Sequence, residues 1–286
     1  MPSTLVSTAE LAAQLTNPDW VVFDCRFTLT DPAAGRAAYH ASHIVGARYT
    51  DLDEDLSGPV TSQSGRHPLP DPQVLCAKLG AWGVGEQTQV VVYDDSYGSM
   101  AVRLWWLLRW LGHENVALLD GGLPKWMREK RAMSADLPSP LPQSFRCAIN
   151  PDVSVDAATV DRFRLDEHHR LIDARPEHRF TGERELLDAV AGHIPGAVNW
   201  VFEENLDMDG TFLSAEELRE NYLRLMNGVA AHNVIHTCGS GVTASHNLLA
   251  MEIAGLTGSR LYPGSWSEWI TDPNRPIATG DAVIAS

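Results

Sequence analysis

One cysteine stands in a setting suited to nucleophilic chemistry. The segment Val234-Ile235-His236-Thr237-Cys238-Gly239-Ser240-Gly241-Val242-Thr243-Ala244 runs from a β-branched stretch into a glycine-spaced turn, and a helical pattern follows. Gly239 and Gly241 keep side-chain bulk off the main chain. Consecutive N–H groups near a helix start can then turn inward and stabilise a thiolate or an anionic adduct. Such a loop needs neither a metal nor a cofactor, and none is expected. An inert buried thiol is the ordinary fate of a free cysteine, but the glycine spacing weighs against it.

The other candidate chemistries fail on particular residues. A cysteine phosphatase requires Cys-x5-Arg, so that the arginine can grip phosphate with two N–H groups. Ala244 occupies that arginine's position. His232, His236 and His246 surround Cys238 without any standard zinc spacing, and Asp94-Asp95 is a carboxylate pair without further ligands. Cys25, Cys76 and Cys147 have no paired spacing, so they are assigned to packing and a reducing compartment is expected. Trp105, Trp106 and Trp110 fall on an amphipathic helical pattern and are read as core.

The elements that must position Cys238 are written twice. Val21-Val22-Phe23-Asp24-Cys25-Arg26 and Leu171-Ile172-Asp173-Ala174-Arg175 are short apolar strands ending in Asp-x-Arg. His43-Ile44-Val45-Gly46-Ala47 matches His193-Ile194-Pro195-Gly196-Ala197, and Val91-Val92-Tyr93-Asp94-Asp95 matches Val234-Ile235-His236-Thr237-Cys238. Self-similarity at about half the chain length indicates a duplicated domain rather than a solenoid. Asp95 stands where the second copy has Cys238, so only one half carries a nucleophile. His43 and His193 recur in both halves and are read as structural, bonded to backbone.

The predicted domains are residues 1–133, which lack the catalytic cysteine, and 149–286, which carry it. Residues 134–148, with alternating prolines, form the linker. The first copy has extra residues in the turn-rich stretch from Ser57-Gly58-Pro59 to Pro70-Asp71-Pro72, an insertion long enough to reach the other domain. Alternation of strand and helix patterns predicts an α/β fold, each domain a mostly parallel sheet with helices on both faces. Ligands in such sheets bind where strands end and helices begin, which is where Cys238 lies.

With 286 residues, 44% hydrophobic and 21% charged, the composition is that of an ordinary globular protein. A formal net charge of −15 opposes attraction to phosphate backbones and anionic membranes, so neither nucleic acid nor membrane is an expected partner. The start Met1-Pro2-Ser3-Thr4-Leu5 has no basic and apolar leader pattern, and the expected location is cytoplasmic.

Cys-Gly-Ser-Gly-Val-Thr-Ala on a strand-to-helix turn, the paired His-Ile-x-Gly-Ala motifs and Tyr262-Pro263-Gly264-Ser265-Trp266-Ser267-Glu268-Trp269 together resemble the tandem rhodanese sulfurtransferases. The loop is similar to that of members using 3-mercaptopyruvate, whereas members using thiosulfate typically carry Cys-Arg-Lys-Gly-Val-Thr. The resemblance implies ping-pong transfer: Cys238 takes sulfur from a small donor, holds it as a persulfide in the loop Gly239, Ser240, Gly241, Val242 and Thr243, and yields it to a thiol, thioredoxin or cyanide. It implies that Arg179 holds the donor's anionic group. A second arginine is implied where Asp188 stands, and Arg184 is the expected substitute. It further implies that Asp53, His67 and Ser240 form a polar chain that moves a proton.

Thiosulfate is a dianion and mercaptopyruvate a monoanion at neutral pH. A loop without Arg or Lys is expected to favour the latter, because unpaired charge in a partly desolvated site is costly. Thiosulfate as donor, and a persulfide carrier without enzymatic activity, are the alternatives.

Overall fold

A computed structural model describes residues 4–281. The chain divides into two compact units, and neither is a continuous half. The first comprises the chain up to Gly58, then Leu69–Pro151 and Asp207–Phe212; the second comprises Pro59–Pro68, Asp152–Leu206 and the chain from Leu213 on. The middle of the first-copy insertion, Pro59–Pro68, thus folds with the second unit.

In the first unit the strands are β1 (Leu5–Val6), β2 (Trp20–Asp24), β3 (His43–Ile44), β4 (Arg48–Tyr49), β5 (Gln89–Tyr93), β6 (Val116–Leu119) and β7 (Met133–Ser134). Five of them form a parallel sheet in the order β1-β6-β5-β2-β4, while β3 and β7 make a separate antiparallel pair. Val22, Val91, Tyr93, Ala117 and Leu119 face one core with Leu11 and Trp126. Val90, Val92, Val116 and Leu118 alternate with them and are equally buried, as is most of the helix Ala101–Trp110 with its three tryptophans. Burial on both faces explains why β5 reads as an unbroken valine run rather than an alternating one.

The second unit contains β8 (Arg170–Asp173), β9 (Ala197–Asn199), β10 (Val234–Thr237) and β11 (Arg260–Leu261), parallel throughout in the order β11-β10-β8-β9. The repeated Asp-x-Arg becomes the same device in both units. Asp24 accepts from Nε and Nη2 of Arg26, whose Nη2 also donates to the Ser42 carbonyl; Asp173, Arg175 and Gly192 repeat the pattern. Both arginines are buried, and a bidentate carboxylate with a carbonyl behind it satisfies a charge that burial would otherwise penalise. The repeated histidines bond backbone in both units: His43 Nδ1 meets the Tyr39 carbonyl and His193 Nδ1 the Phe180 carbonyl, each at 2.8 Å.

Residues 134–148 are not a free spacer. Gln143 N–H donates to the Gly80 carbonyl and Ala148 N–H to that of Leu111, pinning the stretch to the first unit. This corrects the reading of Cys76 and Cys147 as unpaired packing residues: they form a disulfide, with Cα atoms 5.9 Å apart across a sequence separation of 71. Spacing along the chain gives no sign of it, because the pairing depends on how that stretch docks beside the helix Pro72–Ala81. It also removes the ground, unpaired thiols, on which a reducing compartment was expected. Closing so long a loop restricts the unfolded chain, so reduction is expected to lower stability by about 4 kcal/mol. Urea unfolding with and without dithiothreitol checks this; the Cys76→Ser/Cys147→Ser variant should match the reduced protein and ignore the reductant.

Candidate active site

β10 is buried along its length and delivers Cys238 at its carboxyl end, ahead of the helix Ala244–Ile253. Cys238 itself is 2% exposed. A second segment shapes the loop around it. The Cys238 N–H donates to Ser265 Oγ at 3.1 Å, Trp266 N–H donates to the Cys238 carbonyl at 3.0 Å, and Ser267 N–H to the Gly239 carbonyl at 2.9 Å. Gly241 has φ +76°, and a Cβ there would lie 2.3 Å from the Pro263 carbonyl oxygen, so the turn admits only glycine.

The corresponding turn of the first unit shows what such a loop holds. After β5, the Asp94 carboxylate accepts the N–H groups of Ser96, Gly98, Met100 and Ala101, each at 2.8 Å. Burial raises its pKa, against those four donors, which favour the anion. That loop is a cradle already filled by its own chain. At the matching place in the second unit stands Thr237, whose Oγ1 is buried without a hydrogen-bond partner among the described residues. The loop beside Cys238 therefore has no built-in anion.

His67 and Ser240 meet in this unit, Nδ1 to Oγ 2.7 Å, and both are buried. The segment bearing His67 is docked firmly: Arg66 N–H donates to Ser267 Oγ at 3.0 Å, and a Cβ on Gly65 would lie 2.7 Å from the Gly264 carbonyl oxygen.

Arg179 donates through Nε to both oxygens of Glu185, at 3.1 and 2.9 Å, and through Nη2 to Asp188 at 2.8 Å. The other oxygen of Asp188 accepts from Arg66 Nη1. Burial works to raise the Glu185 carboxyl, yet the bonds from Arg179 and from the Leu187 and Asp188 N–H groups bring it below its ordinary pKa. Asp188 is shifted upward by burial despite Arg66 and Arg179. A Cβ placed on Gly239 would lie 2.8 Å from Arg66 Nη2 and 3.6 Å from Arg179 Nη1. The loop's own sequence lacks a cation, but two guanidiniums from elsewhere in the chain, Arg179 and Arg66, lie against Gly239.

The rhodanese-like domain model matches residues 7–129 and again residues 157–272. The chain belongs to the rhodanese-like family.

Its relatives span nearly all of this tandem rhodanese. It is 48% identical over 279 residues to a Pseudomonas aeruginosa protein named as a probable 3-mercaptopyruvate sulfurtransferase, covering 97% of this chain and 98% of that one. It is 33% identical to the thiosulfate sulfurtransferase of Rattus norvegicus, covering 93% and 91%. The crystal structure of the Escherichia coli 3-mercaptopyruvate sulfurtransferase matches with a TM-score of 0.80 at 31% identity, covering 93% of this chain and 99% of that one.

Arg184 is exposed, its main-chain N–H bonded to the His178 carbonyl. Asp53 belongs to the first unit, in an exposed turn where its N–H donates to Asp51 Oδ1 at 2.9 Å; burial, Asp51 and Glu54 raise its pKa. His236 Nε2 lies 3.2 Å from Met251 Sδ, and burial lowers its pKa to about 3, the state of a neutral packed imidazole. Among the described residues no group of three or more His, Cys, Asp or Glu could hold a metal ion, and no helix is long and apolar enough to cross a membrane. Sequence reasoning missed Arg66, Glu185, Asp188 and Ser265 as parts of the site. The one available signal was that Arg66 adjoins His67 in the insertion.

Proposed function

We propose that this rhodanese is a sulfurtransferase that takes sulfur from 3-mercaptopyruvate onto Cys238 and passes it to a thiol. The observation that carries the reading is an anion cradle filled by Asp94 in one unit and lacking a carboxylate in the other, where a cysteine stands at its edge. The Cys238 thiolate attacks the donor's sulfur. As the new S–S bond forms, the C–S pair leaves with the CH2 carbon as the enolate of pyruvate, which takes up one proton. Cys238 is left as a persulfide. The loop N–H groups of Gly239, Ser240, Gly241, Val242 and Thr243 offset its charge, as the matching amides do for Asp94. Ser240 and His67, in hydrogen-bond contact, are suited to hold and deliver the proton.

In the second half-reaction an acceptor thiolate attacks the outer sulfur and Cys238 leaves as thiolate. A small thiol, thioredoxin or cyanide meets that requirement. The proposal keeps the cytoplasmic setting, where such thiols are abundant; recovery of the protein solely from an exported fraction would overturn that part.

Arg179 and Arg66 favour an anionic donor, and 48% identity to a relative named for mercaptopyruvate favours the carboxylate over thiosulfate. Incubation with each donor, following pyruvate and sulfite release, tests the reading. The expected result is a kcat/KM for mercaptopyruvate about tenfold or more above that for thiosulfate, the ratio that 1.4 kcal/mol of differential binding produces. A preference for thiosulfate would reverse the donor, and a persulfide that forms without turnover of either would make the protein a carrier.

A further inference from the structure

Arg66 comes from the insertion of the first copy, yet it folds with the second unit and reaches the catalytic loop. Its main chain is tied down by Ser267, whose own N–H bonds the Gly239 carbonyl, so the segment and the loop share one anchor. Asp188, with its side chain 3% exposed, bonds Arg66 through one oxygen and Arg179 through the other. A buried carboxylate that bridges two guanidiniums fixes their separation and leaves further N–H groups of each directed elsewhere. Those groups lie over Gly239: the closest atoms to a Cβ built there are Arg66 Nη2 and Arg179 Nη1.

We propose that Arg66 binds the donor's carboxylate together with Arg179, and that Asp188 positions the pair beside the Cys238 loop. This rests on the donor-site reading above and assigns the second cation to Arg66 rather than Arg184. It also accounts for the donor's charge. Arg66 and Arg179 are balanced by Asp188 and Glu185, so the cluster offers N–H donors without excess positive charge. Against such a neutral set of donors a monoanionic α-keto acid brings one charge to be met by hydrogen bonds alone, whereas a dianion brings two, at a higher cost in a half-buried site.

Alkylation of Cys238 tests this without turnover. The thiolate displaces iodide from either anionic iodoacetate or neutral iodoacetamide, and the ratio of the two rates reports the local anion affinity. Arg66→Met is expected to lower the iodoacetate to iodoacetamide ratio by about tenfold while the iodoacetamide rate holds, the size of one charge-assisted hydrogen bond. In donor kinetics, KM for mercaptopyruvate should rise about 30-fold, more than kcat falls, with partial rescue in Arg66→Lys. Asp188→Asn, which adds one net positive charge, should shift the thiosulfate to mercaptopyruvate ratio of kcat/KM upward by about tenfold. An unchanged alkylation ratio in both Arg66 variants would overturn the proposal. Because alkylation needs no sulfur donor, that failure is distinguishable from a protein that uses neither donor.

Discussion

Cys238→Ser is expected to abolish sulfur transfer from mercaptopyruvate and from thiosulfate alike, lowering turnover by about 10⁴-fold or more, the scale seen when a covalent nucleophile is removed. A serine hydroxyl is both a poorer nucleophile toward sulfur and unable to form a persulfide. The fold should be untouched, since Cys238 and Ser differ little in size and the contacts around position 238 run through its main-chain N–H and carbonyl. Pyruvate release, persulfide detection by mass spectrometry and the thermal transition of the variant would be read together. Turnover that survives in a folded Cys238→Ser protein would remove the enzyme mechanism derived above. The remaining free cysteine, Cys25, is no substitute: it is buried, and burial raises its pKa well above the ordinary thiol range, which keeps it protonated and inert.

Asp94→Ala is expected to lower stability by about 5 kcal/mol, because four main-chain N–H groups, two of them buried and two partly buried, would lose their acceptor at once. The measurement is the urea midpoint at constant m-value, and a loss below about 1 kcal/mol would mean that water or a neighbour satisfies those donors. A second readout is specific to a cradle. Formate, a carboxylate small enough for the vacated space, should raise the midpoint of Asp94→Ala more than that of the native protein, because the variant offers a second empty cradle in addition to the loop beside Cys238. Equal effects on both proteins would contradict the cradle. The same experiment bears on Cys238, since the loop that Asp94 fills is the duplicate of the loop proposed to hold the persulfide.

Much of the half that carries Cys238 was legible from local pattern. The strand before Cys238, the glycine-spaced turn and the helix after it follow from short-range rules: β-branched residues favour extended chain, Gly241 permits φ +76°, and amides at a helix start face an anion. Duplication exposed the asymmetry between Asp95 and Cys238. The meeting of His67 with Ser240 was expected only through family resemblance, since nothing in the spacing of residues 67 and 240 brings them to 2.7 Å. Arg184 is the arginine the sequence around Arg179 offers in place of the one absent at Asp188; it is exposed, whereas Arg66, far away in the sequence, lies against Gly239.

By itself, then, the sequence determined that this chain is a duplicated α/β protein with one cysteine in a glycine-spaced strand-to-helix loop, because those features are encoded within a few residues of one another. Tertiary structure decided what surrounds the sulfur. Pro59–Pro68 leaves the unit it is written in, carrying Arg66 and His67 to the loop, and residues 134–148 fold back to pair Cys147 with Cys76. Both are consequences of where a loop docks, a balance of burial and hydrogen bonds summed over distant segments, and neither periodicity nor spacing along the chain records it. The charge around Cys238 belongs to the same class: the loop itself carries no cation, and guanidiniums reach it only through folding, Arg66 and Arg179 lying at Gly239 and both bonded to Asp188.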